Sequence, residues 1–310
     1  MKTLTALKRM TVLIMALLVT VSCSDDDDNS TPNPTPQEKS IVEIALETPE
    51  LTTLVQALLR ADGNLVDVLE GPGPFTVLAP TNAAFTAFLN ANGFASLDDV
   101  PTDVLSQVLL NHVIMADIVS SDLVGSTGYA AGSATNADGQ NISIYYDGTS
   151  GVRFNNTATV TTADINASNG TIHIINAVIG LPDIVDHAIM NGSFSSLVAA
   201  LGAADDDGMG NTLVDTLQGD GPFTVLAPDN DAFETYLDGT PLGSVNTAAL
   251  RVLLLNHVVG GGIVAGDLMD LNDAGVYYAN TSATGPGGNA LSLYFNTGDG
   301  VTFNGMSNVF

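Results

Sequence analysis

An α+β fold written twice in tandem is what three features of this 310-residue chain predict. Residues 71–85, GPGPFTVLAPTNAAF, return at 219–233 as GDGPFTVLAPDNDAF. Leu109-Leu110-Asn111-His112-Val113 returns as Leu254-Leu255-Asn256-His257-Val258, and Ile142-Ser143-Ile144-Tyr145 as Leu291-Ser292-Leu293-Tyr294. Within a copy, helical periodicity comes early and strand alternation late, the order of an α+β domain. So long a spacing marks a duplicated globular domain, because solenoid units repeat every ~20–50 residues. The copied residues are mostly apolar, so the repeat speaks first about architecture.

At the N-terminus, Lys2, Lys8 and Arg9 precede an apolar run from Met10 to Val21 that ends at Ser22-Cys23. The run falls short of the ~20 residues that cross a bilayer and has the flanks of a secretory signal. A single cysteine at its end suggests a lipoprotein signal peptide over residues 1–22, with Cys23 as the lipidation site. Thr20 stands where a leucine is commonest in such signals. Ser24 and the aspartates Asp25 to Asp28 resemble an acidic export tag of bacterial lipoproteins displayed on the outer surface. A lipid there would anchor the chain without spanning the membrane. Residues 23–39 read as an acidic tether, since Pro32, Pro34 and Pro36 alternate with polar residues and favour extended chain.

The first domain is assigned to residues 40–182. Leu51, Leu54, Val55, Leu58 and Leu59 recur at helical spacing, started by Thr48-Pro49-Glu50 and stopped by Asp62-Gly63. A short helix over Leu65 to Leu69 precedes the strand Pro74 to Ala79. Pro80 ends that strand, and a helix with Phe85, Phe88 and Leu89 follows, capped by Thr81 here and by Asp229 in the second copy. A further helix carries Leu105, Val108, Leu109 and His112 on one stripe. The rest is β-like: an alternating strand Ile142 to Tyr146, a turn over Asp147 to Gly151, then Val152 to Phe154, Ala158 to Thr162, and a final apolar strand from Thr171 to Leu181.

The second domain is assigned to residues 183–310, lacking its last strand. Phe310 aligns with Thr161, so counterparts of Ile172, Ile174, Val178 and Ile179 are not in this sequence. At ~1.5–3 kcal/mol per buried side chain, four of them contribute about 6–12 kcal/mol, comparable to the stability of a whole domain. The chain is therefore expected to be a piece of a longer one; completion by a partner strand is the alternative.

The formal net charge is −27, and removing the signal peptide takes away three basic residues and no acid. Such a surface repels nucleic acid and anionic headgroups, which excludes both as partners. Cys23 is the only cysteine, so the mature chain has no disulfide, no thiolate nucleophile and no Cys-built metal site. Clustered carboxylates could hold Ca2+, but Asp205-Asp206-Asp207-Gly208 lacks the alternating spacing of a calcium loop and reads as a solvated turn. No other cofactor is implied.

No Gly-x-Ser-x-Gly, phosphate loop or His-Glu-x-x-His occurs. His112 and His257 share the apolar stripe of their helices and read as core histidines, neutral and bonded to backbone. His173 sits inside an apolar strand. His187 with Asp183 and Asp186 offers too few ligands for a metal, on what reads as a solvated linker helix. The best binding candidates are Tyr145 and Tyr294. Ile142, Ile144 and Tyr146 share the core face of their strand, which turns Tyr145 outward, and Leu291, Leu293 and Phe295 do the same for Tyr294. The absence of tryptophan argues against a dedicated carbohydrate-binding face.

The segments PFTVLAPTNAAF, LLNHVI and NGTIHIINAVIGLP, with PFTVLAPDNDAF and LLNHVV in the second copy, look like the fasciclin family of adhesion domains. The resemblance covers nearly all of the chain after the tether. It implies a wedge of β-strands packed with helices in each copy. In that family a tyrosine usually precedes the motif histidine, and the pair is linked to integrin binding in animal members. Asn111 and Asn256 stand in its place here. The resemblance implies a non-enzymatic cell-surface protein for adhesion or matrix attachment, its partner an extracellular protein or polysaccharide. With the signal and tether, it is expected at the outer membrane, lipid-anchored and facing the exterior. The alternative is a module that binds a polysaccharide or small molecule for outer-membrane uptake machinery.

Overall fold

Ser40 Oγ accepts the Glu43 amide and the Glu43 carboxylate accepts the Ser40 amide, a capping box that starts α1 (Ile41–Glu47). The computed structural model describes residues 38–205, 212–264, 277–296, 302–304 and 307–308. Residues 1–37 with Cys23, the run Asp206-Asp207-Gly208, and Phe310 lie outside them.

The helical half of the first repeat continues with α2 (Thr52–Arg60), α3 (Leu65–Leu69), α4 (Asn82–Ala91) and α5 (Thr102–Leu110), with β1 (Phe75–Pro80) between α3 and α4. Thr81 Oγ1 caps α4 by accepting the Ala84 amide. The strand half comprises β2 (Val113–Ile114), a helical turn α6 (Ser120–Leu123), β3 (Thr127–Thr135), β4 (Asn141–Asp147), β5 (Arg153–Phe154), β6 (Ala158–Ala167) and β7 (Gly170–Ile175). Neighbouring strands pair antiparallel from β1 through β7, and β7 returns to pair parallel with β1, closing a barrel.

That closing pair organises the core. Phe75, Val77, Ala79, Ile172 and Ile174 point to one side and pack with the leucines of α2, α3 and α5. Leu78 and Ile175 point to the other and pack with Ile144, Phe154 and Ile179 inside the barrel. Both faces are covered, as expected of a parallel pair.

The sequence reading differs from the structure at two places here. The last strand ends at Ile175 rather than Leu181; Val178 and Ile179 are buried from a loop. And β3 was not expected, because Gly128, Ala130, Ala131 and Gly132 carry little strand propensity. At Gly128 the Tyr146 side chain takes the space a larger residue would use, its hydroxyl 2.7 Å from where a Cβ would lie.

The second repeat opens with α7 (Ile184–Met190), whose box of Asp183 and Asp186 matches that of Ser40 and Glu43. It continues with α8 (Ser195–Asp205), α9 (Leu213–Leu217), β8 (Phe223–Val225), α10 (Asn230–Leu237), α11 (Thr247–Leu255), β9 (Val258–Gly260), β10 (Tyr277–Thr284), β11 (Ala290–Asn296), β12 (Thr302–Phe303) and β13 (Ser307–Asn308). Its six strands among the described residues form an open sheet in the order β13-β12-β11-β10-β9-β8. The same words, FTVLAP, thus make a fully buried six-residue strand in β1 and a half-buried three-residue strand in β8. The helix over 184–190 is not a solvated linker: it packs on α8 and α9 as the first helix of its repeat.

Candidate functional site

Three polar residues that recur in both repeats do the same structural work twice. Thr76 Oγ1 donates to the Ala116 carbonyl and accepts the Ile118 amide, at 2.6 and 2.8 Å. Thr224 Oγ1 does so with the Gly261 carbonyl and the Ile263 amide, at 2.7 and 2.8 Å. Asn82 holds the start of α2, its Oδ1 accepting the Thr53 amide and its Nδ2 donating to the Pro49 carbonyl. Asn230 repeats this with the Ser196 amide and the Gly192 carbonyl. Asn155 and Asn304 sit in the left-handed region, at φ of 46° and 49°. Each exchanges two bonds with a tyrosine backbone: Asn155 with Tyr145 and Asn304 with Tyr294. The sequence reading passed over all of these. Their signal was available, since a polar residue kept in both copies outside the helix stripes needs a partner.

His112 is buried. Its Nδ1 donates to the Val108 carbonyl at 2.7 Å and its Nε2 accepts the Ile179 amide at 2.9 Å. Burial pushes its pKa down to about 4, against the opposing pull of the Val108 carbonyl. His257 keeps the first of these bonds, Nδ1 to the Leu253 carbonyl at 2.9 Å, and is only half-buried. Asn111, in the place of the family tyrosine, is fully buried and donates through Nδ2 to the Gly180 carbonyl. An integrin-type role at this position therefore has no exposed side chain to act through in the first repeat.

His173 is held the same way. Its Nδ1 accepts the Asp164 amide and its Nε2 donates to the Ile118 carbonyl. Ser120 and Asp164 lie nearby, but the Ser120 hydroxyl donates to Asp164 and not to the imidazole. Those bonds from Ser120 hold the Asp164 carboxyl below its usual range. A serine activated by histidine needs the opposite arrangement, so this is a strand clamp, not a triad.

Tyr145 does not face outward. It is 5% exposed and lies under Tyr129, its cross-strand partner on β3, with ring centroids 5.3 Å apart. Burial, and then the charge of Asp147, raise its pKa. Tyr294 is half-buried beneath Tyr278 in the same way, at 5.7 Å. The exposed tyrosines are the covering ones, Tyr129 at 45% and Tyr278 at 69%. Alternation along one strand cannot reveal a ring contributed by the next.

Two concavities adjoin these groups. An open groove of about 430 Å3 in the first repeat is lined by Tyr129, Tyr146, Ile114, Met115 and Asn141. An apolar cleft of about 130 Å3 in the second is lined by His187 and His257 among aliphatic residues of α7, α8, α9 and β8. His187 stacks near Tyr129 at 5.9 Å, and its buried Nδ1 has no partner. Burial lowers its pKa, while Asp186 and Asp183 oppose the shift. Both carboxylates are already committed to the cap of α7. Among the described residues, no group of three or more His, Cys, Asp or Glu is placed to hold a metal.

A Fasciclin domain model matches residues 49–182 and again 192–310. The chain is similar to the uncharacterized protein sll1735 of Synechocystis, 39% identical over 45% of this chain and 96% of that protein. It is similar to the pig transforming growth factor-beta-induced protein ig-h3, at 33% over 64% of this chain, and to human periostin, at 29% over 71%. It spans only 27% and 24% of those two animal proteins. Among solved structures it is similar to a FAS1 domain pair from the insect cell adhesion molecule Fasciclin I, at 16% identity and a TM-score of 0.45, over 83% of this chain and 89% of that one.

Proposed function

The chain belongs to the fasciclin domain family, and from that premise we propose that it is a non-enzymatic cell-surface protein for adhesion or matrix attachment. Fasciclin domains are typical of cell-adhesion and extracellular-matrix proteins. One observation supports the non-catalytic reading above others. Thr76, Asn82 and Asn155 with their counterparts, and His112 and His173, are bound to backbone, and none of them is placed as an activated nucleophile or acid–base pair. The partner is an extracellular protein or polysaccharide, met through exposed aromatic and loop surface such as Tyr129 and Tyr278. Lipid on Cys23 would carry the protein at the outer membrane with its domains facing out, and no cofactor is required. Attachment in a flow cell tests this, with a deletion strain compared against its complemented parent, with and without a calcium chelator. Attachment lost on deletion and restored by the gene is the expected result; unchanged attachment would overturn it. Protease added to intact cells should digest the protein, and survival until the outer membrane is breached would remove the surface placement.

The second reading is a module that presents a polysaccharide or small molecule to uptake machinery. The open groove beside Tyr129 and Tyr146 is what favours it. Saturable glycan binding that Tyr129→Ala abolishes, with attachment unchanged by gene deletion, would select this reading.

A further inference from the structure

Two concavities of the first repeat meet at one pair of side chains. Met115 and Asn141 line the open groove of about 430 Å3 beside Tyr129 and Tyr146. They also line a second concavity of about 310 Å3, with exposed Val68 and buried Leu58, Leu65, Leu109 and Val113. The sequence leaves the room. Strand β2 has two residues and meets β3 at the single pair Ile114–Gly132, and β3 presents only Ala130 and Ala131 to the groove beyond Tyr129. In the second repeat Ala131 and Gly132 are replaced by the larger Asn280 and Thr281. Met115 and Val68 are 63% and 45% exposed, apolar side chains kept on the surface of a chain of net charge −27.

The walls select an occupant by what they cannot satisfy. The described basic side chains are elsewhere: Lys39, Arg60 and Arg251 pair with Glu47, Asp98 and Asp205, and Arg153 faces Asp147. The one charged side chain in either concavity is Asp122, so an anion would enter without a counter-charge. A peptide would need an open strand edge, and the barrel is closed. The Val113 and Gly132 carbonyls beside the concavities are already taken by Ser133 and Asn141. A sugar chain would bury hydroxyls against the aliphatic wall of the inner concavity, where Ser133 is committed and Asn141 stands only at the entrance.

We infer that the joined concavities bind one uncharged single-chain lipid, with its tail in the inner concavity and a hydroxylated head in the outer one. Asn141 Oδ1 and the Tyr146 hydroxyl have no partner among the described residues and are free to bond the head. The fold does not require that hydroxyl, since Phe295 replaces Tyr146 in the second repeat. Met115, unbranched and pliable, closes over the chain where the two concavities meet. Each is of the ~300–1,000 Å3 size typical of ligand sites. This inference rests on the second reading above and narrows its ligand to a lipid; it does not depend on the adhesive reading.

The probe is monododecanoylglycerol, titrated below its aggregation concentration into the full chain and followed by calorimetry. A saturable site is expected, at least tenfold tighter than for dodecanoate at pH 8, where the acid is charged. Ala131 is exposed and its counterpart is the larger Asn280, so Ala131→Trp should fill the outer concavity and keep the fold. Val68→Asp places a charge at the exposed rim of the inner one. Each variant should keep its circular dichroism spectrum and weaken the lipid at least tenfold. Equal affinity for dodecanoate, undiminished binding to either variant, or no saturable binding would overturn the inference. Saturable binding of a neutral glucan pentasaccharide that A131W abolishes, without lipid binding, would overturn it and leave the second reading standing; binding of neither would remove both.

Discussion

His112 Nε2 accepts the amide of Ile179 at 2.9 Å, joining the end of α5 to the loop that follows β7. The bond requires an unprotonated nitrogen, and burial holds the pKa of His112 at about 4. Above pH 6.5 the imidazole is neutral in folded and unfolded chains alike, and its contribution to stability is complete. As pH falls below 6.5 the unfolded chain takes up a proton that the folded chain refuses, so stability declines. The expected slope is ~1.4 kcal/mol per pH unit, or about 2 kcal/mol between pH 6.5 and pH 5, before most carboxylates titrate. Urea unfolding of the first repeat across that window checks it. His112→Gln should be less stable at pH 7 and should lose this slope; an unchanged slope would refute the assignment.

Tyr129 and Tyr145 separate binding from folding. Tyr145→Ala removes a buried ring beneath its neighbour and should cost ~3–5 kcal/mol, like other large aromatic truncations. Tyr129→Ala leaves the core filled and should cost under ~1.5 kcal/mol, the scale of one aromatic pair. If the exposed face binds a matrix, the ranking reverses in attachment: Tyr129→Ala with Tyr278→Ala should reduce it at only that small cost in stability, and Tyr145→Ala should reduce it no more than its unfolding explains. Denaturation midpoints and flow-cell retention measured on the same variants decide the matter.

Asn155 and Asn304 make the same two bonds in different surroundings. Asn155 is buried, so Asn155→Ala strands the Tyr145 amide without an acceptor and should cost about 2–4 kcal/mol, including the left-handed backbone that alanine tolerates poorly. Asn304 is exposed, and water can replace its carbonyl on the Tyr294 amide. Asn304→Ala should cost under ~2 kcal/mol, most of it backbone. Equal losses in the two repeats, read by differential hydrogen exchange, would show that burial is not what sets the cost.

The sequence alone carried the helices and the closing motif because those signals are local. PFTVLAP followed by a Thr81 or Asp229 cap predicts β1 and α4 within a residue or two, and the stripe of Leu105, Val108 and Leu109 predicts α5. The seven-residue helix α1 was too short for periodicity and α7 reads as a mere linker helix, although IVE and IVD behind a capping Ser40 or Asp183 repeat them in register. What failed was non-local. The Tyr129 ring that covers Tyr145 comes from a strand that small residues disguise, and Asn155 acts through a backbone bond with no residue preference on the other side.

Gly170 shows how closely β7 is held against β1 in the first repeat. Its φ is +148°, and a Cβ there would lie 1.9 Å from the Phe75 carbonyl oxygen, at the first pair of the parallel β1–β7 ladder. Neither backbone can yield without parting the strands, so Gly170→Ala should destabilise the first repeat by about 3 kcal/mol or more. Gly93→Ala, at φ +74° with nothing within 4 Å of its Cβ, meets only the backbone cost of ~1 kcal/mol. Hydrogen exchange locates the damage. The Phe75 and Thr81 amides donate to Asn169 and Ile175 on the β7 side, whereas the Leu78 amide donates to His112 on the β2 side. In Gly170→Ala the first two should lose protection while Leu78 keeps it, leaving β1 an edge strand like β8. Uniform loss at all three would mean that the repeat unfolds as one unit, and that an open sheet is not a state the first repeat can hold.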